Sequence, residues 1–463
     1  MEEITQHRTT MLRRMARRRL ALLQNISLAL LLLLFWAPFH LPLIFLCTGT
    51  LIAFAFALSI PRRAIDLRFL KQSVSLILLS LLLWISISYT TYKDYAFDYC
   101  LKQTVFLLVP LLFCGMTPRF FSPKRLDFFA GCFVAGCVLL LLVKVIQLVY
   151  CFNIFLPYFT IRYIDAGITY MNTGSGFLYS LNEYLSNQSI YLSWAFLRPV
   201  MHTITEGLVF NMAFTLLFVA RIQKHPFLKS RLRKILADFI LFLFTLTLVT
   251  SSSKTGQILF AVNLFLLLLF VFHKKRWILA CGLSVFLLLA GAVGFHYLGM
   301  GILDRFKKSI QVAENIKQNK EAVNDGSLLP RVYSWSSALD MAKEKPVFGF
   351  GSGFLKEYKD LFDSRYPEFQ KNYWHPHNQF LIALLSGGII GLLVFLLFWV
   401  QAVRIVWKSR LLWGWIWLLG LLLLCSIDTI FYQTARFYCC LPYCFLMAAC
   451  YNRSLQKRQS LQA

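Results

Sequence analysis

The chain has 463 residues, 58% of them hydrophobic, and a formal net charge of +26. Soluble domains are about 45–50% apolar, so this composition excludes an ordinary soluble protein and points to a membrane protein. The charge invites a nucleic-acid reading, but its placement argues against one: well over half of the 47 Lys and Arg fall in segments that would face a single side of a membrane.

Apolar runs of about 17–25 residues, the length that crosses a bilayer, recur from end to end. Twelve are predicted, over 20–37, 41–60, 73–89, 101–116, 126–150, 203–222, 235–252, 255–272, 277–298, 378–403, 411–427 and 434–451. A basic tail, 1–19, precedes the first. It is not a signal peptide, because the following run is too long, no small-residue cleavage pattern ends it, and a second span comes at once. The basic clusters Arg13–Arg19, Arg62–Lys71, Arg221–Lys234, Lys274–Arg276 and Arg404–Arg410 alternate with loops that, apart from the long one at 299–376, are nearly free of Lys and Arg. The positive-inside pattern therefore predicts both termini in the cytoplasm, with 452–463 as a second cytoplasmic tail. The predicted organisation is nine spans over 20–298, a large outer loop over 299–376, and three spans over 377–451. The fold class is an all-α polytopic membrane protein of about twelve transmembrane helices. The twelve cysteines lie mostly inside spans, with no C-x-x-C and no zinc spacing, and read as small apolar packing residues.

Two outer segments are long. The first, 151–202, is rich in Tyr, Phe and Trp, residues that favour the headgroup level. The second, 299–376, has apolar residues at three- and four-residue spacing over 303–316 and 332–342, which predicts two amphipathic helices. Pro346 stops the second of them, and Gly349-Phe350-Gly351-Ser352-Gly353 predicts a flexible turn. The loop reads as an external helical lid, and a loop of this length is uncommon without a purpose.

The residues that could carry chemistry gather on the outer side. Lys254, in Ser251-Ser252-Ser253-Lys254-Thr255-Gly256, sits in a very short turn between two spans. It reads either as a snorkelling lysine or as a phosphate-binding cation at a helix start. Arg331 follows Pro330 and opens the helix of Trp335; a guanidinium suits bidentate recognition of phosphate. His375-Pro376-His377-Asn378 lies where the long loop enters a span. One histidine there would ordinarily cap or pack. Two with Asn378 suit proton transfer, because a neutral imidazole takes a proton near neutral pH. Further outer residues are Arg198 with His202, four apart on one helix face, Asp94, Asp98, and Asp428 with Arg436. His-x-His lacks a third ligand and has no acidic cluster beside it, so no metal site is predicted.

Together these pieces resemble the bacterial O-antigen ligase and polymerase superfamily. His377-Asn378, nine residues, then Gly388-x-x-Gly391 is similar to the family's signature at the end of its large periplasmic loop. Arg331-x-x-x-Trp335 with Pro346-Val347-Phe348-Gly349-Phe350-Gly351-Ser352-Gly353 resembles the segment before it, and Ser253-Lys254 resembles the family's Ser-Arg turn. Lysine in place of arginine keeps the charge and loses the bidentate fork. The resemblance implies a lipid-dependent, GT-C-like glycosyltransferase of the bacterial inner membrane with a periplasmic active site. Its donor would be a polyprenyl-diphosphate-linked glycan, and its acceptor lipid A–core or a growing glycan. On that implication His377 is the catalytic base, and Arg331 and Lys254 hold the diphosphate. Arg198, His202, His375, Asn378 and Arg436 contact substrate. Partners are these lipid-linked glycans and membrane lipids, with no nucleic acid and no cofactor, fixed cations standing where a metal might. The rivals are a polysaccharide polymerase, a protein O-oligosaccharyltransferase and, from another class, a lipid-glycan transporter or flippase. A transporter would favour internal repeats and midplane charges, which the sequence lacks.

Overall fold

A backbone in hydrocarbon must satisfy its own N–H and C=O groups, so long apolar runs without β-barrel alternation fold as helices. The computed structural model describes residues 2–36, 44–52, 73–104, 106–108, 111, 123–150, 203–250, 254–272, 310, 311, 314, 329–367, 375–409 and 411–429. Every element among them is helical, with no strand among the described residues. The helices are α1 (Glu2–Leu33), α2 (Val74–Ile85), α3 (Lys93–Gln103), α4 (Pro123–Tyr150), α5 (Thr203–Ile222) and α6 (Arg231–Thr250). They continue with α7 (Lys254–Phe272), α8 (Leu329–Glu344), α9 (Phe354–Arg365), α10 (Gln379–Ser409) and α11 (Leu412–Ile427). Stretches Arg125–Val143 and Gln379–Lys408 are long and apolar enough to cross a membrane, and Leu22–Leu33, Val74–Ser88, Thr255–Leu268 and Trp413–Ile427 are shorter apolar helices.

Most predicted spans therefore coincide with a helix. The runs 277–298 and 434–451 and the outer segment 151–202 lie outside the described residues, as does most of 303–316. Three details differ from the sequence reading. The basic tail is helical and continuous with the first apolar run. The short loop after α2 contains a helix, α3. The large loop contains a helix that its periodicity did not single out, α9, with Phe354, Tyr358 and Phe362 buried along one face.

The described residues fall into two compact units. One comprises 134–329. In it α5, α6 and α7 pack through Phe210 on Phe244 and Phe214 on Phe260, with ring centroids 5.4 and 5.2 Å apart. A polar seam runs inside this trio. The Asn211 side-chain amide donates to the carbonyls of Gly207 at 2.7 Å and Gly256 at 3.2 Å, and accepts from Asn263 at 3.1 Å. Side-chain amide hydrogen bonds between helices fix their register where lipid offers no hydrophobic gradient between them.

The other unit comprises 1–133 with 330–463. Its axis is the antiparallel pair α2 and α10. At one end Gln401 Oε1 accepts from the Ser75 hydroxyl and N–H, at 2.5 and 3.3 Å. At the other, α10 is broken. Gly388 has φ 59° and ψ −154°, a conformation open only to glycine, so the helix ladder stops and restarts there. The segment after α8 fills the break. Phe350 and Gly351 N–H donate to the Leu385 and Ser386 carbonyls at 2.8 and 3.0 Å, and Ile389 N–H donates to the Pro346 carbonyl at 2.8 Å. The glycine-rich turn is therefore fixed in place, contrary to its flexible reading. Its far side is held as well: Ser352 N–H donates to Ser86 Oγ at 2.8 Å and Gly353 N–H to Thr90 Oγ1 at 3.1 Å. Glycine is required by crowding. A Cβ on Gly349 would meet the Leu385 carbonyl oxygen at 2.5 Å, one on Gly391 the Ala383 carbonyl oxygen at 2.6 Å, and one on Gly388 would overlap the Val347 carbonyl.

Candidate active site

The histidine turn lies where α10 begins. Asn378 is its N-cap: Oδ1 accepts from the N–H groups of Phe380 at 2.9 Å and Leu381 at 3.2 Å. The Asn378 amide donates to the Ser426 carbonyl at 3.0 Å, near the end of α11. Its polar atoms thus join the start of one helix to the end of the next. Before it, His375 Nδ1 accepts from His377 N–H at 3.3 Å, closing a tight turn over Pro376. His377 has φ 45°, a left-handed conformation uncommon for a residue with a side chain, and strained backbone of this kind clusters at functional sites.

Strain at His377 accompanies a specific pairing. Its Nδ1 lies 3.2 Å from Asp428 Oδ1, with 18% of the histidine side chain and 10% of the aspartate side chain exposed. An ionised carboxylate only accepts hydrogen bonds, so opposite an ionised Asp428 the proton sits on Nδ1, and in the neutral imidazole the lone pair is then on Nε2. The same oxygen accepts from Thr429 N–H at 2.7 Å. Asp428 thereby selects the tautomer in which Nε2 can take a proton. His375 is buried and lies beside Thr429, whose hydroxyl is 3.2 Å from Nδ1; the two imidazole centroids are 4.1 Å apart.

The loop helices brace this turn from the other side. Ser334 Oγ donates to the His375 carbonyl at 3.4 Å and lies 2.7 Å from the Tyr358 hydroxyl, which is within 3.2 Å of the Ser334 carbonyl. Burial pushes the Tyr358 phenol well above its ordinary value, so it stays a neutral donor. Tyr333 stacks on Tyr366 at 4.7 Å, and Arg365 pairs with Asp340 at 3.1 Å, joining α8 to α9. Lys343 and Arg365, by donating to it, hold the Asp340 carboxyl below the usual carboxylate range. Arg331 lies on α8 one turn before Ser334. Arg331 Nε and Trp335 Nε1, also a turn apart, are buried donors without a partner among the described residues. Unmatched buried donors are costly, and each is of the kind that an oxygen acceptor satisfies.

One unit therefore brings His375, His377, Asn378 and the Arg331 helix to one turn, and adds Asp428 and Thr429 from the end of α11. Lys254 opens α7 in the other unit. Arg198, His202 and Arg436 lie outside the described residues. Sequence reasoning noted Asp428 at the outer rim but did not pair it with His377. The available signal was an acid closing an apolar run on the face where the histidine run opens the preceding helix.

These features define a helical membrane protein with a histidine–carboxylate pair at one end of its helices, roofed by a folded loop. Residues 239–396 match the family model described as O-antigen ligase, and this segment supports membership of the O-antigen ligase superfamily. The matched segment contains Lys254, Arg331, His375, His377, Asn378, Gly388 and Gly391, and ends before Asp428. No curated protein matches the chain. The family is membrane-embedded and acts in glycan transfer, on glycan and lipid-linked substrates.

Proposed function

We propose that the chain is a membrane glycosyltransferase that ligates a polyprenyl-diphosphate-linked glycan to lipid A–core on the periplasmic face of the bacterial inner membrane. The observation that carries the chemistry is the His377–Asp428 pair: a strained histidine whose tautomer a carboxylate sets, at the end of a membrane helix. The acceptor hydroxyl oxygen attacks the anomeric carbon, the bond from that carbon to the diphosphate oxygen breaks, and polyprenyl diphosphate leaves with the electron pair. The hydroxyl proton passes to His377 Nε2. Charge develops on the leaving diphosphate, and Arg331, with its buried unmatched Nε, is suited to receive it. A site at the end of the spans lets the polyprenyl tail stay in hydrocarbon. The positive-inside pattern supports the orientation, with twelve spans and both termini in the cytoplasm. Arg198, His202, His375, Asn378 and Arg436 are proposed substrate contacts, with fixed cations in place of a metal.

Purified protein in liposomes, given a defined polyprenyl-diphosphate glycan and lipid A–core, should form the glycan–core conjugate whether or not a chelator is present. Extension of one lipid-linked glycan by another, with no conjugate to core, would identify a polymerase instead. The role of Lys254 is proposed from its place at the start of α7. Lys254→Arg should retain transfer, and Lys254→Ala and Arg331→Ala should each lower it by about 10²-fold, the usual scale for losing one group that stabilises developing charge. Full activity in Lys254→Ala would leave that residue as a snorkelling lysine.

A further inference from the structure

The Pro346–Gly351 segment exposes large apolar side chains beside α10. Phe348 is 63% exposed and Val347 48%. Their backbone is bound to the break in α10, through Ile389 N–H to the Pro346 carbonyl and Ile390 N–H to the Val347 carbonyl at 3.5 Å. Their depth therefore follows from the depth of Gly388.

α10 has 31 residues, and its far end carries Arg404 and Lys408. Hydrocarbon spans about twenty helical residues. Counted back from Val403, it begins near residue 384, which sets Gly388 about four residues, or ~6 Å, inside the apolar layer. Exposure on α10 supports this placement. Ile389, Leu393, Leu396, Val400 and Val403 form one exposed apolar stripe, the face expected of a helix against lipid. A second stripe runs along α2 through Val74, Leu78, Leu81 and Ile85 to Tyr89. Tyr89 donates its hydroxyl to the Phe348 carbonyl at 2.9 Å. Phe348 thus joins the ends of two lipid-type stripes on helices packed against each other.

We propose that Pro346–Gly351 is re-entrant: it enters the leaflet at the His377 end of α10, where the side chains of Val347 and Phe348 contact lipid acyl chains. Non-helical backbone is tolerated at that depth when protein bonds it; here α10 groups bond the Pro346 and Val347 carbonyls and the Phe350 and Gly351 N–H groups, and Tyr89 bonds the Phe348 carbonyl. Lys345, immediately before the segment, lies 4.4 Å above the Phe350 ring, a fitting cation for the headgroup level. The consequence is mechanical. α8, which carries Arg331, ends at Glu344, two residues before the anchor, so the lipid contact sets the height of the loop over the bilayer.

p-Benzoylphenylalanine placed singly at 348, at 393 on the α10 stripe, and at exposed Ser364 on α9 tests the proposal in liposomes of phosphatidylethanolamine and phosphatidylglycerol. After irradiation, lipid adducts should form at 348 and 393 and not at 364. A 348 site that behaves like 364, or that cross-links a second protein chain instead of lipid, overturns it. Unsubstituted protein labelled by a phospholipid with a diazirine in its acyl chain serves as a second measurement. Label on the peptide spanning 346–353 is expected, and its absence while the α10 peptide is labelled also overturns the proposal.

Discussion

His377→Ala is expected to abolish glycan transfer while the protein remains in the membrane at its normal level. The loss of a positioned base costs about 10²–10⁴ in rate, and alanine also removes the Asp428 contact at 3.2 Å. The fold should survive, because the cap of α10 belongs to Asn378 and the helix pairing to other residues. Asp428→Asn separates base from orienter. The amide can present its N–H to Nδ1, which favours the wrong tautomer, so kcat should fall substantially while the KM for donor stays near its original value. Full transfer by His377→Ala, measured as glycan–core conjugate, would remove His377 from the mechanism. Wild-type kcat in Asp428→Asn would make that carboxylate a structural partner only.

Gly388→Ala should cost more in folding than any site substitution. Alanine at φ 59° and ψ −154° is strained, and its Cβ would overlap the Val347 carbonyl. The atoms it would meet are backbone of Val347 and Phe348, not flexible side-chain ends, and the Val347 carbonyl accepts from Ile390 N–H at 3.5 Å. The expected loss is on the order of 3 kcal/mol. It would appear as a lower melting temperature in detergent and lower abundance in the membrane, with transfer reduced in proportion. Gly387→Ala is the matched control, because a Cβ at Gly387 meets nothing within 4 Å. If Gly388→Ala and Gly387→Ala melt together, the interlock is not what holds the loop.

The two substitutions bear on how the parts of the site relate. The Pro346–Gly353 segment is bonded to α10 on one side and to the end of α2 on the other. It follows α8, whose Ser334 reaches the His375 carbonyl. The glycines thus hold together the elements that set Arg331 and His377, and a change at Gly388 should reach the chemistry through geometry.

Much of this was legible in the sequence. Apolar runs long enough to span a bilayer must be helical because no water is present to satisfy the backbone, and α2, α4, α5, α6, α7, α10 and α11 coincide with predicted runs. The histidine turn, Arg331 and the glycine motif are local patterns, readable as residue types at short spacing. What the sequence determined by itself was therefore the helical class, the positions of the long apolar helices, and a set of candidate residues. The tertiary structure decided what those residues bond to. Asp428 reaches His377 from 51 residues away. The loop glycines exist for α10, and the α10 glycine for the loop, a fit of two backbones that neither segment displays alone. The physical reason is that periodicity and propensity act over one or two helical turns, whereas a tautomer, a cap across helices and a close backbone approach depend on contacts between distant segments.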